Sequence, residues 1–113
     1  MGEDNSILYL FGLSMQDKGK GNHFLNLIKN NVKQKAVINI ILLHDAVIGS
    51  SSKVKNNEII EELLNIPLHL HTVIPDLKAR GIKVEDVHPK IDPIEYEELV
   101  ELFISNSRIV SWL

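Results

Sequence analysis

Two stretches of the chain, Ile7-Leu8-Tyr9-Leu10-Phe11 and Val37-Ile38-Asn39-Ile40-Ile41-Leu42-Leu43, run without alternation between apolar and polar positions. A strand with one wet face alternates, so these runs predict strands buried on both faces of a parallel sheet. Successive side chains on a strand point to opposite faces. Ile40 and Leu42 should therefore lie on one face and Ile41 and Leu43 on the other, all four buried. Between the two runs, residues 22–31 place Phe24, Leu27 and Ile28 on one helical stripe.

The pattern continues in the same sense. Ile59, Ile60, Leu63 and Leu64 recur at helical spacing, and the helix must stop before Pro67, which disfavours helix in the residue ahead of it. Leu68-His69-Leu70-His71 predicts a third strand, parallel and adjacent to the others. Pro75 in a first turn and Gly81 as a stop bracket a short helix through Leu77 and Ala79. Residues 82–87 predict a brief fourth strand. Asp92-Pro93-Ile94-Glu95 reads as N-cap, N1 proline and capping-box glutamate, opening a helix with Tyr96, Leu99, Val100, Phe103 and Ile104 on its apolar stripe. Arg108-Ile109-Val110-Ser111-Trp112-Leu113 completes the series as a fifth strand. Strands alternating with helices imply a three-layer α/β/α sandwich around a mainly parallel sheet of about five strands, and 113 residues suit a single domain, 1–113.

Composition removes several kinds of chemistry. The chain has no cysteine, which excludes a disulfide scaffold, a thiolate zinc site, an iron–sulfur cluster and a cysteine nucleophile. With 12 Lys plus Arg against 15 Asp plus Glu, net −3, it lacks the basic surface that direct nucleic-acid binding needs. No run of about 18 apolar residues is present to span a membrane. Gly2-Glu3-Asp4-Asn5 is polar and acidic where a signal peptide would be basic and then apolar, so a cytoplasmic location is expected.

In open parallel sheets, ligands bind beyond the carboxyl ends of the strands. The second strand delivers His44 and Asp45 there, with Gly49, Ser50 and Ser51 following; together they form a candidate ligand or partner edge. A carboxylate can orient an imidazole for acid–base work, but neighbours on an extended chain point apart, and Asp45 equally suits a loop or helix cap. The segment 49–56 offers backbone N–H groups for an anion or simply a solvated loop, without a P-loop pattern. A phosphorylatable receiver is ruled out, because Gly12-Leu13-Ser14 after the first strand supplies no acidic pair for magnesium. His69 and His71, two apart on a strand, share a face and are weak metal candidates lacking an evident third ligand. No cofactor is expected. Trp112, the only tryptophan, either caps the core or anchors a partner. Glu95, Glu97, Glu98 and Glu101 form a solvated acidic face or meet a basic partner surface.

Several segments taken in order resemble the DsrH/TusB family. They are Ile41-Leu42-Leu43-His44-Asp45-Ala46-Val47, Leu63-Leu64-Asn65-Ile66-Pro67-Leu68, Asp76-Leu77-Lys78-Ala79-Arg80-Gly81-Ile82, Tyr96-Glu97-Glu98-Leu99-Val100 and the closing Ser111-Trp112. The likeness runs from about residue 37 onward. It implies the DsrE/DsrF-like fold and a place in a sulfur-relay system, in which small homologous subunits pass persulfide sulfur between cysteines, toward 2-thiouridine in tRNA or within sulfur oxidation. Some members carry a cysteine near the first helix; this chain has none, so it cannot itself carry persulfide. The resemblance thus implies a non-catalytic subunit with DsrE/DsrF- or TusC/TusD-like sister subunits, or with itself in a homo-oligomer. The alternative is a stand-alone ligand-binding or catalytic α/β domain using the region around His44 and Asp45.

Overall fold

A computed structural model of the chain describes residues 5–14, 18–53 and 58–113. Its elements, in order, are β1 (Ser6–Phe11), α1 (Lys18–Lys33), β2 (Val37–Leu42), a 3₁₀ segment (His44–Ser50), α2 (Glu58–Leu64), β3 (His69–Val73), α3 (Ile74–Ala79), a 3₁₀ turn (Val84–Asp86), β4 (Asp92–Ile94), α4 (Tyr96–Ser105) and β5 (Arg108–Trp112). The five strands form one sheet in the order β4-β3-β2-β1-β5, and every pairing is parallel. This is the three-layer α/β fold that the unalternating apolar runs require.

The two sheet faces are filled unequally. Ile7, Tyr9, Phe11, Ile38, Ile40, Leu42 and Leu70 point to the larger core, where Phe24, Leu25 and Ile28 of α1, Ile59, Ile60 and Leu63 of α2, and Leu77 of α3 close over them. Leu8, Leu10, Ile41, Leu43, Val73 and Ile94 form the smaller core on the opposite face, where α4 lowers Leu99 and Leu102 onto them. Ile40 and Leu42 thus lie opposite Ile41 and Leu43, all buried, as the period of two demands.

α1 begins earlier than its apolar stripe, at Lys18, and takes in two glycines. Gly21 is there because α2 presses against it: a Cβ at this position would sit 3.0 Å from Ile59 Cγ1. The helix ends in a Schellman arrangement, with the Ala36 and Lys35 N–H groups bonded to the carbonyls of Asn31 and Val32 and Lys35 in the left-handed region at φ 63°.

Two expectations need correction. Residues 82–87 form no strand. The slot beside β3 is taken by Asp92–Ile94, and Val87 makes only an isolated antiparallel bridge to Ser51. The Asp92 N-cap frame is likewise displaced by three residues, because Asp92 and Pro93 are spent in β4. Proline is tolerated there since β4 is an edge strand. Glu95 is the N-cap of α4, its side chain accepting from the Glu98 N–H while Glu98 Oε1 accepts from the Glu95 N–H at 3.3 Å.

Candidate functional site

Beyond the carboxyl end of β2 the chain turns sharply at His44, whose φ of 50° is left-handed for a residue with a Cβ. The turn is held from α3: the His44 N–H donates to Asp76 Oδ2 at 2.8 Å. Asp45 caps nothing. Its Oδ1 accepts from Arg80 Nε and Nη2 at 3.2 and 3.1 Å, an arrangement that ties the 3₁₀ segment to the end of α3. Ser50 is fully buried, its hydroxyl donating to the Val47 carbonyl at 2.6 Å and lying 3.2 Å from Thr72 Oγ1. Gly49 is buried beside it, and Ser51 is half-buried in the bridge to Val87. Part of the loop 49–56, from 54 onward, lies outside the described residues.

The candidate edge is therefore split by the fold. Gly49 and Ser50 serve the core, Asp45 is engaged with Arg80, and Asp76 is engaged with the His44 backbone. His44 and Asp45 are both exposed, and the His44 ring lies beside Gly12, where an added Cβ would come within 3.0 Å of His44 Nδ1 and 2.8 Å of Leu113 Cδ2. Asp45 Oδ1 turns to Arg80 and Asp76 Oδ2 to the His44 backbone, and among the described residues no hydrogen bond joins either carboxylate to the His44 imidazole.

Trp112, at the end of β5, joins the larger core as a half-buried member. Its ring meets Phe24 and His23 edge-on at 5.4 and 5.5 Å and lies 6.4 Å from Phe11.

The second histidine position leads to a network that sequence reasoning missed. His71 Nε2 lies 3.2 Å from Asn39 Oδ1, Asn39 Nδ2 donates to Asn106 Oδ1 at 3.4 Å, and Asn106 Nδ2 donates to the Leu102 carbonyl at 2.8 Å. A carbonyl only accepts, so the polarity of the whole chain is set from Leu102, and His71 must donate from Nε2. The buried Nδ1 makes no hydrogen bond and lies 3.4 Å from Asp92 Oδ2, within ion-pair distance when the ring is protonated. Burial pushes the His71 pKa below its ordinary value, against the pull of Asp92 and Glu98. The signal was present in the sequence: Asn39 is the one polar residue inside a run buried on both faces, and such a group needs partners.

His71 stands at one side of an open cleft of about 300 Å³, whose other walls are Asp92, Ile94, Glu98, Glu101, Leu102 and Ser105. Three carboxylates line it and no Lys or Arg does. Among the described residues no group of three or more His, Asp or Glu is arranged to hold a metal, so the His69 and His71 pair remains without a third ligand. Nor, among them, is any helix long and apolar enough to cross a membrane.

The helix that forms the cleft also departs from expectation. Leu99 and Leu102 face the core, whereas Tyr96, Val100, Phe103 and Ile104, four members of the predicted stripe, stand exposed.

Fold and site together define a small α/β protein with an all-parallel five-stranded sheet, no chain nucleophile of the thiol type and an uncovered apolar helix face. Comparison with known proteins agrees. The family described as DsrH like protein matches residues 20–109, reaching further toward the N-terminus than the segments that first showed the likeness. Protein TusB of Shigella dysenteriae is 32% identical over 73 residues, covering 65% of this chain and 73% of its own length. Protein TusB of Buchnera aphidicola is 27% identical over 78 residues, covering 69% and 78%. Among solved structures, the ychN protein of Escherichia coli superposes with a TM-score of 0.80 at 16% identity, covering 95% of this chain and 98% of that one. The chain belongs to the DsrH family.

Proposed function

We propose that this chain is a non-catalytic subunit of a sulfur-relay complex of the DsrH/TusB type, supporting persulfide transfer by sister subunits. The observation that carries this reading is the absence of cysteine from all 113 residues of a DsrH family member. In persulfide transfer, an acceptor thiolate attacks the terminal sulfur of a donor persulfide, the S–S bond breaks, and the donor leaves as thiolate. Both roles need a sulfur atom in the chain. A chain without one contributes by holding, orienting or shielding the cysteines of others, which are expected on DsrE/DsrF- or TusC/TusD-like subunits. The destination of the sulfur is 2-thiouridine in tRNA or an oxidation pathway. The cytoplasm is its expected place.

The test is co-expression of the tagged chain with cysteine-bearing DsrE/DsrF-like proteins of the same genome. A stoichiometric complex is expected, with sulfur transfer between its cysteines falling when this chain is omitted. No complex, or transfer indifferent to the chain, would overturn the reading. An assembly of this chain with copies of itself alone would replace the heteromeric reading with a homo-oligomeric scaffold.

A further inference from the structure

We propose that the outward side of α4 is the seat of a second, different protein chain, one that presents an apolar surface bordered by lysine or arginine. This rests on the sulfur-relay reading for the identity of the chain to be tried, and on the following geometry for the surface.

Tyr96, Val100, Phe103 and Ile104 are 51%, 55%, 36% and 80% exposed. At roughly 100° per residue they fall on one continuous arc of α4, adjoining the arc of Leu99 and Leu102 that seals the smaller core. Together the two arcs cover about 200° of the helix, twice the stripe of about 100° that a helix lying on a sheet needs. The uncovered half exposes on the order of 400 Å² of apolar surface, the size of the largest patch on a typical monomer, which is often functional. A stable interface needs about 800 Å² from each partner, so this arc supplies the apolar centre and the flanking surface must supply a rim.

The flank decides the occupant. α4 bears Glu97, Glu98 and Glu101 and no Lys or Arg, and beyond Glu98 and Glu101 lies the cleft with Asp92 and His71. A second copy packed α4 against α4 across a two-fold axis would place a second acidic helix beside the first, and α4 itself carries no Lys or Arg to offset it. A partner with Lys or Arg at its rim gains instead: a cationic donor entering the cleft meets Asp92, Glu98 and Glu101.

The experiment uses the co-expressed complex of the preceding test. Val100→Asp combined with Ile104→Asp alters only exposed positions, so the variant should keep its melting temperature and lose affinity for its partner by about 100-fold or more. Glu101→Lys should weaken binding by roughly 10-fold at low salt and by less at 0.5 M salt. Lys83→Glu, an exposed site outside α4 and the cleft, is the control and should do nothing. In the unaltered complex, the amides of 96–105 should exchange at least about 10-fold more slowly than in the free chain, a reading independent of any variant. A complex that forms unchanged with the aspartate pair, or leaves α4 exchange unaltered, overturns this surface while sparing the sulfur-relay reading. Absence of any complex with the unaltered chain overturns both, and a homodimer dissolved by the aspartate pair shows that a second copy is the occupant.

Discussion

Ile41→Ala tests the division of the sheet into two unequal cores. Ile41 is fully buried in β2, paired in register with Leu10 of β1 and His71 of β3, and it belongs to the smaller core with Leu8, Leu43, Val73 and Ile94. The substitution removes three carbons from an apolar site, about 2.4 kcal/mol at ~0.8 kcal/mol each. A cavity term adds to that, placing such changes at 2–5 kcal/mol, roughly. Among the described residues only α4 packs on this face, reaching down with Leu99 and Leu102, so it can settle partway into the void and keep the cost near 3 kcal/mol, roughly. At about 4 °C per kcal/mol for a domain of this size, the melting temperature should fall by about 12 °C. Urea unfolding should show the same loss with an unchanged slope. Ile104→Ala removes the same atoms from a position 80% exposed and should stay within about 0.5 kcal/mol of the wild type. A cost below about 1 kcal/mol for Ile41→Ala, or equal costs at the two positions, would refute the assignment of Ile41 to a core and Ile104 to the surface.

Other perturbations probe single elements. Burial holds the His71 pKa below its unfolded value, so the unfolded chain binds the proton first on acidification; the neutral ring's stabilisation is complete above about pH 6.5 and is lost as pH falls through the folded pKa. The stability difference between wild type and His71→Gln should accordingly shrink from pH 7.5 to 5, and a difference that grows on acidification would contradict the assignment. Trp112→Ala should cost roughly 2 kcal/mol, less than for a fully buried aromatic, with the oligomeric mass by light scattering unchanged; lost assembly at an unaltered melting temperature would make Trp112 a partner anchor. Lys35→Gly should stabilise by about 1 kcal/mol, because glycine occupies the left-handed position after α1 without strain, and a lower melting temperature would show that the Lys35 side chain has a role the backbone does not reveal.

The sheet was legible in the sequence to the extent that burial alone dictates it. β1 and β2 carry unbroken apolar runs that fill both faces, whereas β3, read as Leu68-His69-Leu70-His71, alternates and was placed by its position directly after the Pro67 stop. β4 was not legible, since three residues including a proline become a strand only because β3 offers them an edge. The start of α4 was ambiguous for a concrete reason: Asp92 with Glu95 and Glu95 with Glu98 present the same spacing, and only the pairing of Asp92–Ile94 with β3 selects the second frame. Ser50 read as part of a solvated serine-rich loop, and it is buried because Val47 and Thr72 satisfy its hydroxyl. Of the candidate edge, His44 and Asp45 were found by position, but the partners that engage the Asp45 carboxylate and the His44 backbone, Arg80 and Asp76, come from the C-cap and first turn of α3, more than thirty residues later.

The phase of α4 is the remaining question, because its apolar stripe is wide enough to be buried in more than one way. Rolling the helix by roughly 60° about its axis would carry Phe103 and Val100 toward the sheet and lift Leu102 away, with no loss of helical hydrogen bonding. What opposes the roll is polar. Asn106, the C-cap residue of α4, bonds back to the Leu102 carbonyl and forward to Asn39 in β2, which in turn engages His71. An apolar stripe would tolerate either phase; a hydrogen-bond chain with fixed polarity tolerates one. Asn106→Ala should therefore cost about 1–2 kcal/mol, chiefly because Asn39 Nδ2 loses its acceptor inside the protein. It should also release the roll, shielding Val100 and Phe103 and exposing Leu102, which hydrogen exchange across 96–105 and binding of an apolar dye would register. The same variant should bind the partner of α4 more weakly although no residue of the exposed arc has changed. If Asn106→Ala leaves stability, exchange and binding as they were, the phase of α4 is set by Leu99 and Leu102 alone, and the polar chain from His71 to Leu102 does not position the docking face.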